Sequence, residues 1–359
     1  MPTVERYHLA PEYSISRVIK GGWQLAGGHG AIDRQQALHD MLLYVEEGIT
    51  TFDCADIYTG VERLIGEFIR RHQSAMRNGT LPRVQVHTKY VPDLDALSTL
   101  TQRDVQATVD RSLDRLGIEC LDLVQFHWWD YAVPGCVEAA IHLDALRDAG
   151  KIKHLGVTNF DVAHLAELLE AGVPIVSNQV QYSVLDRRPE RTMVEFCERH
   201  GIALLCYGTV AGGFLSERYL DEPEPDLPCE NRSLTKYKLI IDEFGGWELF
   251  QQLLMTMKEI GLRHGASIAT VATRYTLQKD GVGAAIVGAR HARHLPDTLR
   301  LFSFMLSEED ICAIETVTNQ AQGPEGPIYG LERVKGGKHA AIIKYNLGRT
   351  CVSARSPLS

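Results

Sequence analysis

Short β-rich runs alternate with longer helical patterns along most of this chain, and that alternation constrains the fold more than any other feature. The helical segments repeat apolar residues every three or four positions, as at Val105, Val109 and Leu113. Eight strand-then-helix units, joined in parallel, can close into a (β/α)8 barrel. The predicted strands span 16–21, 49–53, 83–88, 121–127, 153–157, 174–180, 202–207 and 283–288, and the predicted helices span 33–47, 60–72, 102–116, 134–149, 161–170, 188–200, 247–264 and 291–301.

An open, doubly wound α/β sheet is the rival architecture for the same alternation. Such a sheet usually carries a G-x-G-x-x-G turn after its first strand, and the glycine-rich segment Gly21–Gly28 lacks that spacing. We therefore expect an α/β fold of the TIM-barrel type over residues 1–320, followed by a C-terminal extension over 321–359. The long loop 209–246 after the seventh strand is expected to form a lid or part of a pocket.

Charge and cysteine content argue against several classes of function. A net charge of −9 offers no basic field for nucleic acid, although the C-terminal extension is basic. The eight cysteines are scattered without a C-x-x-C spacing, so we expect no metal site and a reduced, cytoplasmic compartment. No apolar run approaches the roughly 20 residues that cross a bilayer. We expect a monomer or small homo-oligomer that acts on a small molecule, with no membrane partner.

Four residues capable of proton transfer stand where predicted strands give way to polar loops. Asp53, Lys89 and His127 end the second, third and fourth strands, and Tyr58 lies in the loop after the second. The carboxyl ends of barrel strands surround one mouth, so the four side chains can meet there. Each residue alone is unremarkable, but their order at three consecutive strand ends predicts a catalytic group.

The chemistry of these four residues indicates carbonyl reduction. Tyr58 is the predicted general acid, and the ammonium of Lys89 would depress its pKa. Asp53 would hold Lys89 through a buried ion pair, and His127 would donate a hydrogen bond to a carbonyl oxygen or share the proton with Tyr58. No side chain supplies hydride, so a reduced nicotinamide is required. Reduction should then fall as pH rises through the depressed pKa of Tyr58.

The motifs around these residues resemble those of the aldo-keto reductase superfamily. The second-strand signature of that family resembles Phe52–Tyr58 followed by Glu62–Gly66, and its fifth-strand signature resembles Lys151–Phe160. The resemblance covers roughly residues 16–318, and the motifs are specific because they occur together. It implies the (β/α)8 fold, NAD(P)H-dependent reduction of carbonyl groups, and a catalytic tetrad of Asp53, Tyr58, Lys89 and His127.

The resemblance also assigns residues to the cofactor. Thr158, Asn159 and Gln179 match the residues that bind the nicotinamide carboxamide, and Tyr207 matches the aromatic residue that stacks on the ring. A segment after the seventh strand matches the one that wraps the pyrophosphate, where glycines permit close backbone approach. The residues assigned to the cofactor are Gly22, Asp53, Thr158, Asn159, Gln179, Tyr207, Gly208, Gly212, Gly213, Leu215, Arg290 and Asp297.

The adenosine end follows the family pattern less closely. Arg290 opens the eighth helix, whose N-terminus favours phosphate, and it would pair with a 2′-phosphate. Asp297 matches an acid near the adenine, but Thr298 stands where the family pattern has Asn, and His294 where a longer polar residue is common. NADP(H) is therefore the preferred cofactor, with NAD(H) as the alternative.

Aromatic residues near the predicted mouth suit an apolar or ring-bearing carbonyl substrate. Only one of the adjacent residues Trp128 and Trp129 is expected to face the pocket. The candidate pocket residues are Trp23, His29, Tyr90, Trp128 and Trp129.

Two other classes of function fit parts of the pattern. A nicotinamide-binding redox sensor or regulatory subunit, as some relatives pair with channel subunits, would use the cofactor with weak or no turnover. A barrel lyase or isomerase acting on phosphorylated sugars would need a phosphate site and a Schiff-base Lys or metal ligands, and would leave Tyr58 and Lys89 unexplained. The C-terminal extension has three arrangements open to it: closing over the cofactor, contacting a neighbouring protomer, or packing beneath the barrel.

Overall fold

Eight parallel strands form a closed barrel, so the predicted (β/α)8 architecture is confirmed. The structure is a computed structural model that describes residues 3–288 and 290–348. Every predicted strand is present, with its ends shifted by two residues or fewer. In chain order the strands are β1 (Arg6–Ala10), β2 (Tyr13–Ser16), β3 (Val18–Gly21), β4 (Thr51–Asp53), β5 (Gln85–Tyr90), β6 (Leu121–Phe126), β7 (Ile152–Thr158), β8 (Ile175–Gln181), β9 (Ala203–Tyr207) and β10 (Val282–Gly288).

Each barrel strand from β3 to β10 pairs with the next in chain order, and β10 pairs with β3 to close the ring. Asp33 and Asp161 begin two of the connecting helices by accepting hydrogen bonds from backbone amides of the first turn. The helices are α1 (Arg34–Glu46), α2 (Val61–Arg77), α3 (Gln102–Leu116), α4 (Cys136–Asp148), α5 (Val162–Glu170), α6 (Pro189–Arg199), α7 (Arg232–Phe244), α8 (Gly246–His264), α9 (Ile268–Leu277), α10 (Leu295–Arg300), α11 (Glu308–Thr318) and α12 (Gly330–Arg333).

Several elements were missed by the sequence analysis. The region 209–246 was expected to be a loop, but it contains the helix α7. Helix α9 was missed because its residues are buried almost throughout, so it lacks the one-sided apolar pattern of a surface helix. The antiparallel hairpin β1–β2 was missed because its strands are short and lie outside the alternating pattern. Helix α11 follows the barrel and was also missed.

The hairpin closes the end of the barrel at which the strands begin. Tyr13 of β2 is 2% exposed, and its hydroxyl lies 3.0 Å from Nε2 of His87. Apolar side chains of the strands, including Leu123 and Leu205, pack against the hairpin within the same cluster. A larger apolar layer separates the strands from the surrounding helices. Because one end is sealed, functional groups can gather only at the mouth formed by the carboxyl ends of the strands.

Some features are absent from the part of the chain that the structure describes. In residues 3–288 and 290–348, no helix combines the length and the apolarity needed to span a membrane. Among the same residues, no group of three or more His, Cys, Asp and Glu side chains is arranged to hold a metal ion. The seven cysteines described there are free thiols, and Cys351 lies outside the described residues.

The contact between α2 and α3 gives a test of the helix packing. A Cβ atom at Gly66 would collide with the carbonyl oxygens of Arg115 and Leu116 at the end of α3. We expect Gly66→Ala to lower the free energy of unfolding by about 1–3 kcal/mol, because the two helices must separate. The measurement is the midpoint of urea unfolding. Gly28→Ala is the control, because no atom lies within 4 Å of its added Cβ; equal midpoints for the two variants would contradict the prediction.

Candidate active site

The ends of β4 and β5 bring three of the four predicted catalytic side chains together in the barrel mouth. Lys89 Nζ donates hydrogen bonds to Asp53 Oδ1 at 2.6 Å and to the carbonyl oxygen of Cys54 at 2.9 Å. The side chains of Lys89 and Asp53 are 6% and 5% exposed. Tyr58 follows β4, and the centre of its ring lies 5.2 Å from Lys89 Nζ. The buried ammonium therefore contacts both the carboxylate and the phenol.

Neighbouring strands hold Asp53 in place. Gln125 Nε2 donates to Asp53 Oδ2 at 2.9 Å, and Gln179 Nε2 donates to the same oxygen at 2.7 Å. The amide of Gly22 donates to the backbone carbonyl of Asp53 at 2.7 Å. Since both carboxylate oxygens are bound, Asp53 is a fixed counter-ion for Lys89.

Burial raises the pKa of Tyr58, whereas the sequence analysis predicted that Lys89 would lower it. Loss of hydration raises the pKa of Tyr58 above its ordinary value of 10.0, because the lowering effect of Lys89 is opposed by Asp53. For Lys89 itself, burial lowers the pKa, but Asp53 and Tyr58 outweigh burial and leave the pKa raised. Near neutral pH the site therefore holds an ammonium beside a protonated phenol, rather than a phenol close to losing its proton.

His127 is a neutral imidazole whose proton lies on Nδ1. Burial, with the charge of Arg333 adding to it, lowers the pKa of His127 to about 3. The Nδ1 atom lies 3.0 Å from the carbonyl oxygen of Thr158, which only accepts hydrogen bonds, so Nδ1 carries the proton. Nε2 is then an acceptor. Two roles were predicted for His127. Donating a hydrogen bond to a carbonyl oxygen would require a proton on Nε2, and Nε2 holds none. Sharing the proton of a hydroxyl group requires only an acceptor, which Nε2 provides.

The residues predicted to hold the nicotinamide lie at the ends of β7, β8 and β9. Tyr207 donates its hydroxyl proton to Asn159 Oδ1 at 2.8 Å, which fixes the ring of Tyr207. Thr158 uses its hydroxyl to donate to the carbonyl oxygen of Gln179 at 3.2 Å. Within the described residues, the amide nitrogen of Asn159 and the amide oxygen of Gln179 make no hydrogen bond. Asn159 therefore offers one free hydrogen-bond donor and Gln179 one free acceptor, which match the oxygen and the nitrogen of a carboxamide group.

The segment after β9 contains the glycines predicted to wrap the pyrophosphate. Gly208 and Gly212 approach Tyr237 of α7 so closely that a Cβ atom would lie 2.7 Å and 2.8 Å from it. Gly213 has φ of +111°, and no atom lies within 4 Å of its hypothetical Cβ. Leu215 is fully buried in the apolar cluster around α8. The backbone therefore remains open at Gly213, while Tyr237 covers the other two glycines.

The two residues predicted for the adenosine end make contacts within the protein. The guanidinium of Arg290 donates to the carbonyl oxygens of His29 and Ala31, so it links the loops after β3 and β10. Asp297 Oδ2 accepts a hydrogen bond from the hydroxyl of Ser267 at 2.6 Å. Their roles toward the cofactor stay predictions.

Two aromatic residues of the predicted pocket lie beside the catalytic side chains. Trp23 packs edge-on to Tyr58, with 5.1 Å between ring centres. Trp129 packs edge-on to His127, with 4.3 Å between ring centres. The ring of His29 lies 6.3 Å from that of Trp23. These residues form an aromatic wall at the mouth.

Trp128 and Tyr90 correct the predicted pocket, because neither lies at the mouth. Trp128 is fully buried in the layer between strands and helices, and Tyr90 stacks on Phe126 in the same layer at 6.0 Å. Successive residues of a strand face opposite sides. Since Lys89 and His127 turn toward the barrel axis, the residues that follow them turn outward.

The C-terminal extension lies across the mouth, where the sequence left three arrangements open. Arg333 of α12 donates hydrogen bonds to the backbone carbonyl oxygens of Trp128, Trp129 and Asn159 at 3.0–3.3 Å. Four hydrogen bonds from one guanidinium to two strand ends anchor the extension to the barrel.

Residues on either side of Arg333 reach the catalytic groups. The ring of Tyr329 packs edge-on to His127, with 5.6 Å between ring centres. Further along, Tyr345 packs edge-on to Trp129, with 5.1 Å between ring centres. The extension therefore roofs the side of the mouth that holds His127.

Helix α7 covers the opposite side. The hydroxyl of Ser233 accepts a hydrogen bond from Trp23 Nε1 at 3.0 Å and lies 3.1 Å from Nε2 of His29. The sequence analysis missed Ser233, Tyr329 and Arg333 as site residues. The signal for Tyr329 and Arg333 was the patterned Tyr-Gly-Leu-Glu-Arg stretch in the basic extension, which does not reveal where it packs, and Ser233 had no signal beyond its place in the long insertion.

Comparisons with known proteins point to one family. The model of the aldo/keto reductase family matches residues 17–319. The chain is 26% identical to aldo-keto reductase YhdN of Bacillus subtilis, over 87% of this chain and 93% of that protein. It is 31% identical to flagellar radial spoke protein 5 of Chlamydomonas reinhardtii over 62% of this chain, but the match spans only 48% of that protein's length. The solved structure of glycerol dehydrogenase AKR11B4 from Gluconobacter oxydans superposes with a TM-score of 0.75 at 22% identity, covering 90% of this chain and 98% of that one.

The hydrogen bonds of Arg333 allow a test of whether this residue anchors the C-terminal extension over the mouth. Arg333→Ala removes hydrogen bonds worth about 1 kcal/mol each, so we expect trypsin to cut at Lys335 and Lys338 at least about tenfold faster than in the unaltered protein. The measurement is a proteolysis time course followed by mass spectrometry. Arg191→Ala is the control, because among the described residues the side chain of Arg191 makes a single, exposed ion pair of 3.8 Å, with Glu325 of the same extension. Equal cleavage rates in the two variants would rule out the anchoring role.

Proposed function

The chain belongs to the aldo/keto reductase family, and on that premise we propose that it reduces aldehydes or ketones to alcohols reversibly, with Tyr58 as the general acid. Members of this family are oxidoreductases of carbonyl and alcohol groups that use NADP(H) or NAD(H), so this chain is an enzyme of that kind. When bound, the nicotinamide supplies the hydride.

The observation that carries the proposal is the Lys89 ammonium, held 2.6 Å from Asp53 Oδ1 and 5.2 Å from the centre of the Tyr58 ring. When Tyr58 gives its proton to a carbonyl oxygen, a phenolate forms beside this ammonium. Lys89 stabilises that phenolate, and Asp53 keeps the ammonium charged and in position. Since these groups are buried, their electrostatic interaction is stronger than it would be in water.

His127 serves as an acceptor in this scheme. Its Nε2 can accept a hydrogen bond from Tyr58 or from the hydroxyl of an alcohol, because its proton lies on Nδ1. In the oxidation direction the Tyr58 phenolate would take up the hydroxyl proton of the alcohol, and Nε2 could then accept a hydrogen bond from the phenol that forms. The same residues therefore account for both directions.

The cofactor would lie along the ends of β7 to β9. The free amide nitrogen of Asn159 and amide oxygen of Gln179 would bind the carboxamide, and Tyr207 would stack on the ring. The open backbone at Gly213 would approach the pyrophosphate. A 2′-phosphate would gain a charge partner in Arg290, which supports NADP(H) over NAD(H).

The substrate would enter between the aromatic walls. Trp23 and Trp129 flank the catalytic residues, and Tyr329 and Tyr345 of the extension add to the same lining. Such a lining favours an apolar or ring-bearing carbonyl compound as the small-molecule substrate.

A nicotinamide-binding regulatory protein is the second candidate. The extension favours it, because Arg333 ties this segment across the mouth beside His127. The two functions differ in turnover. A regulatory protein would oxidise bound NADPH at most once per molecule when mixed with a carbonyl panel, whereas a reductase would continue while substrate lasts.

Replacing the proposed acid tests the mechanism directly. Tyr58→Phe should lower kcat for carbonyl reduction by about 10²–10⁴-fold, because the proton donor is lost while the ring remains. Binding of NADPH, followed by quenching of tryptophan fluorescence, should stay within about threefold, which corresponds to less than 0.7 kcal/mol. Tyr7→Phe, at the sealed end of the barrel, is the matched control. Full turnover in Tyr58→Phe would exclude Tyr58 as the acid.

The raised pKa of Tyr58 sets the pH dependence. Reduction needs the protonated phenol, so kcat for reduction should stay flat from pH 7 to about 9.5, below the raised pKa. Oxidation needs the phenolate, whose fraction grows about tenfold per pH unit over the same range. Initial rates in both directions, at saturating cofactor, measure this. A fall in reduction that begins near pH 8 would mean that Lys89 lowers the pKa of Tyr58 after all.

A further inference from the structure

A second lysine, largely but not fully buried, lies in the mouth, outside the tetrad. Lys236 of α7 holds its ammonium over the ring of Tyr207, with 5.0 Å between Nζ and the ring centre. The ring centres of Tyr329 and Tyr237 lie 5.7 Å and 5.9 Å from the same nitrogen. The lysine side chain is only 17% exposed. The ammonium therefore sits among three aromatic rings, an environment that attracts cations.

Glu332 of the C-terminal extension is the counter-ion of this lysine. Its side chain is 1% exposed, and Oε1 lies 3.5 Å from Lys236 Nζ. Neither carboxylate oxygen makes a hydrogen bond within the described residues. The nearby Arg188 is already bound to Asp186 at 2.6 Å and 2.8 Å. Buried carboxylates normally use their acceptor sites, so Glu332 depends on a neighbouring cation to offset its charge.

Both members of the pair are ionised. Burial alone would raise the pKa of Glu332, but the charges of Lys236 and Arg188 outweigh it and hold that pKa below its ordinary value. Burial alone would lower the pKa of Lys236, but Glu332, together with Tyr237 and Tyr329, outweighs it and leaves that pKa raised. Removing one partner from a buried pair is costly because it leaves an uncompensated charge. The ammonium can therefore leave easily only when another cation arrives.

The position of the ammonium is the position at which cofactor and substrate would meet. Tyr207 is the residue proposed to stack on the nicotinamide, and Tyr329 contacts the catalytic His127. Because Lys236 Nζ lies near the rings of both Tyr207 and Tyr329, and Tyr329 contacts His127, the ammonium lies on the side of Tyr207 that faces the catalytic residues. A ring stacked on that side of Tyr207 needs the space that the ammonium fills.

We propose that Glu332, Tyr207 and Tyr329 form a cation site at the mouth, filled by the Lys236 ammonium in the free protein, and that the positively charged ring of an oxidised nicotinamide takes the ammonium's place. This deepens the proposed function and rests on it. The flexible stem of Lys236 allows the ammonium to swing toward solvent. The reduced ring is neutral and cannot offset the charge of Glu332, so the site selects the oxidised cofactor.

The test compares two nucleotides on one protein. Isothermal titration of the full chain with NADP⁺ and with NADPH gives two dissociation constants for each variant. In Glu332→Gln, the ratio of the dissociation constant of NADP⁺ to that of NADPH should rise roughly tenfold, because the oxidised ring loses its counter-ion and the reduced ring no longer leaves a buried charge uncompensated. The two nucleotides make the same contacts outside the ring. Their ratio therefore isolates the ring charge from any loosening of the extension.

Two further variants complete the experiment. Lys236→Met removes the competing ammonium, so both nucleotides should bind several-fold tighter, because neither has to separate the ammonium from Glu332. Glu325→Gln, an exposed glutamate of the same extension, should leave the ratio unchanged. Equal losses for both nucleotides in Glu332→Gln, or weaker NADP⁺ binding in Lys236→Met, would overturn the cation site. If the unaltered protein bound neither nucleotide, the proposed function itself would fail, and this inference with it.

Discussion

The ion pair between Asp53 and Lys89 is the interaction on which the rest of the site depends. Two buried charges are tolerated in the barrel because each compensates the other, and because Gln125 and Gln179 use the remaining carboxylate oxygen. The pair in turn determines the electrostatic surroundings of Tyr58. The barrel makes this ion pair possible, because β4 and β5 are adjacent parallel strands whose ends bring Asp53 and Lys89 within hydrogen-bond distance.

A second buried pair, Lys236 with Glu332, connects parts of the chain that lie outside the strands. One partner comes from the region between β9 and β10 and the other from the C-terminal extension. Arg333 fixes that extension to the backbone at the ends of β6 and β7. The strands therefore form the floor of the mouth. Helix α7 and the C-terminal extension, joined by the ion pair between Lys236 and Glu332, form its roof. The candidate catalytic side chains lie between this floor and this roof.

The strands were predicted correctly because they have a local signature, and the four candidate catalytic residues could be selected from the sequence for the same reason. Strand and helix patterns repeat over short windows, and Asp53, Lys89 and His127 stand at the ends of predicted strands. The prediction for the pKa of Tyr58 was wrong because hydration loss depends on every element packed around the ring. Tyr90 and Trp128 were assigned to the pocket from their position in sequence, but strand alternation turns them into the outer layer.

By itself, the sequence determined the closed barrel, the order of the candidate catalytic residues along its strands and the family to which the chain belongs. Only the tertiary structure decided that His127 is neutral with its proton on Nδ1, that helix α7 covers Gly208 and Gly212, and that Tyr329, Glu332 and Arg333 reach the site. These features arise from contacts between residues as far apart as Trp128 and Arg333. Burial and charge at such contacts depend on distance in space, and no pattern along the chain records that distance.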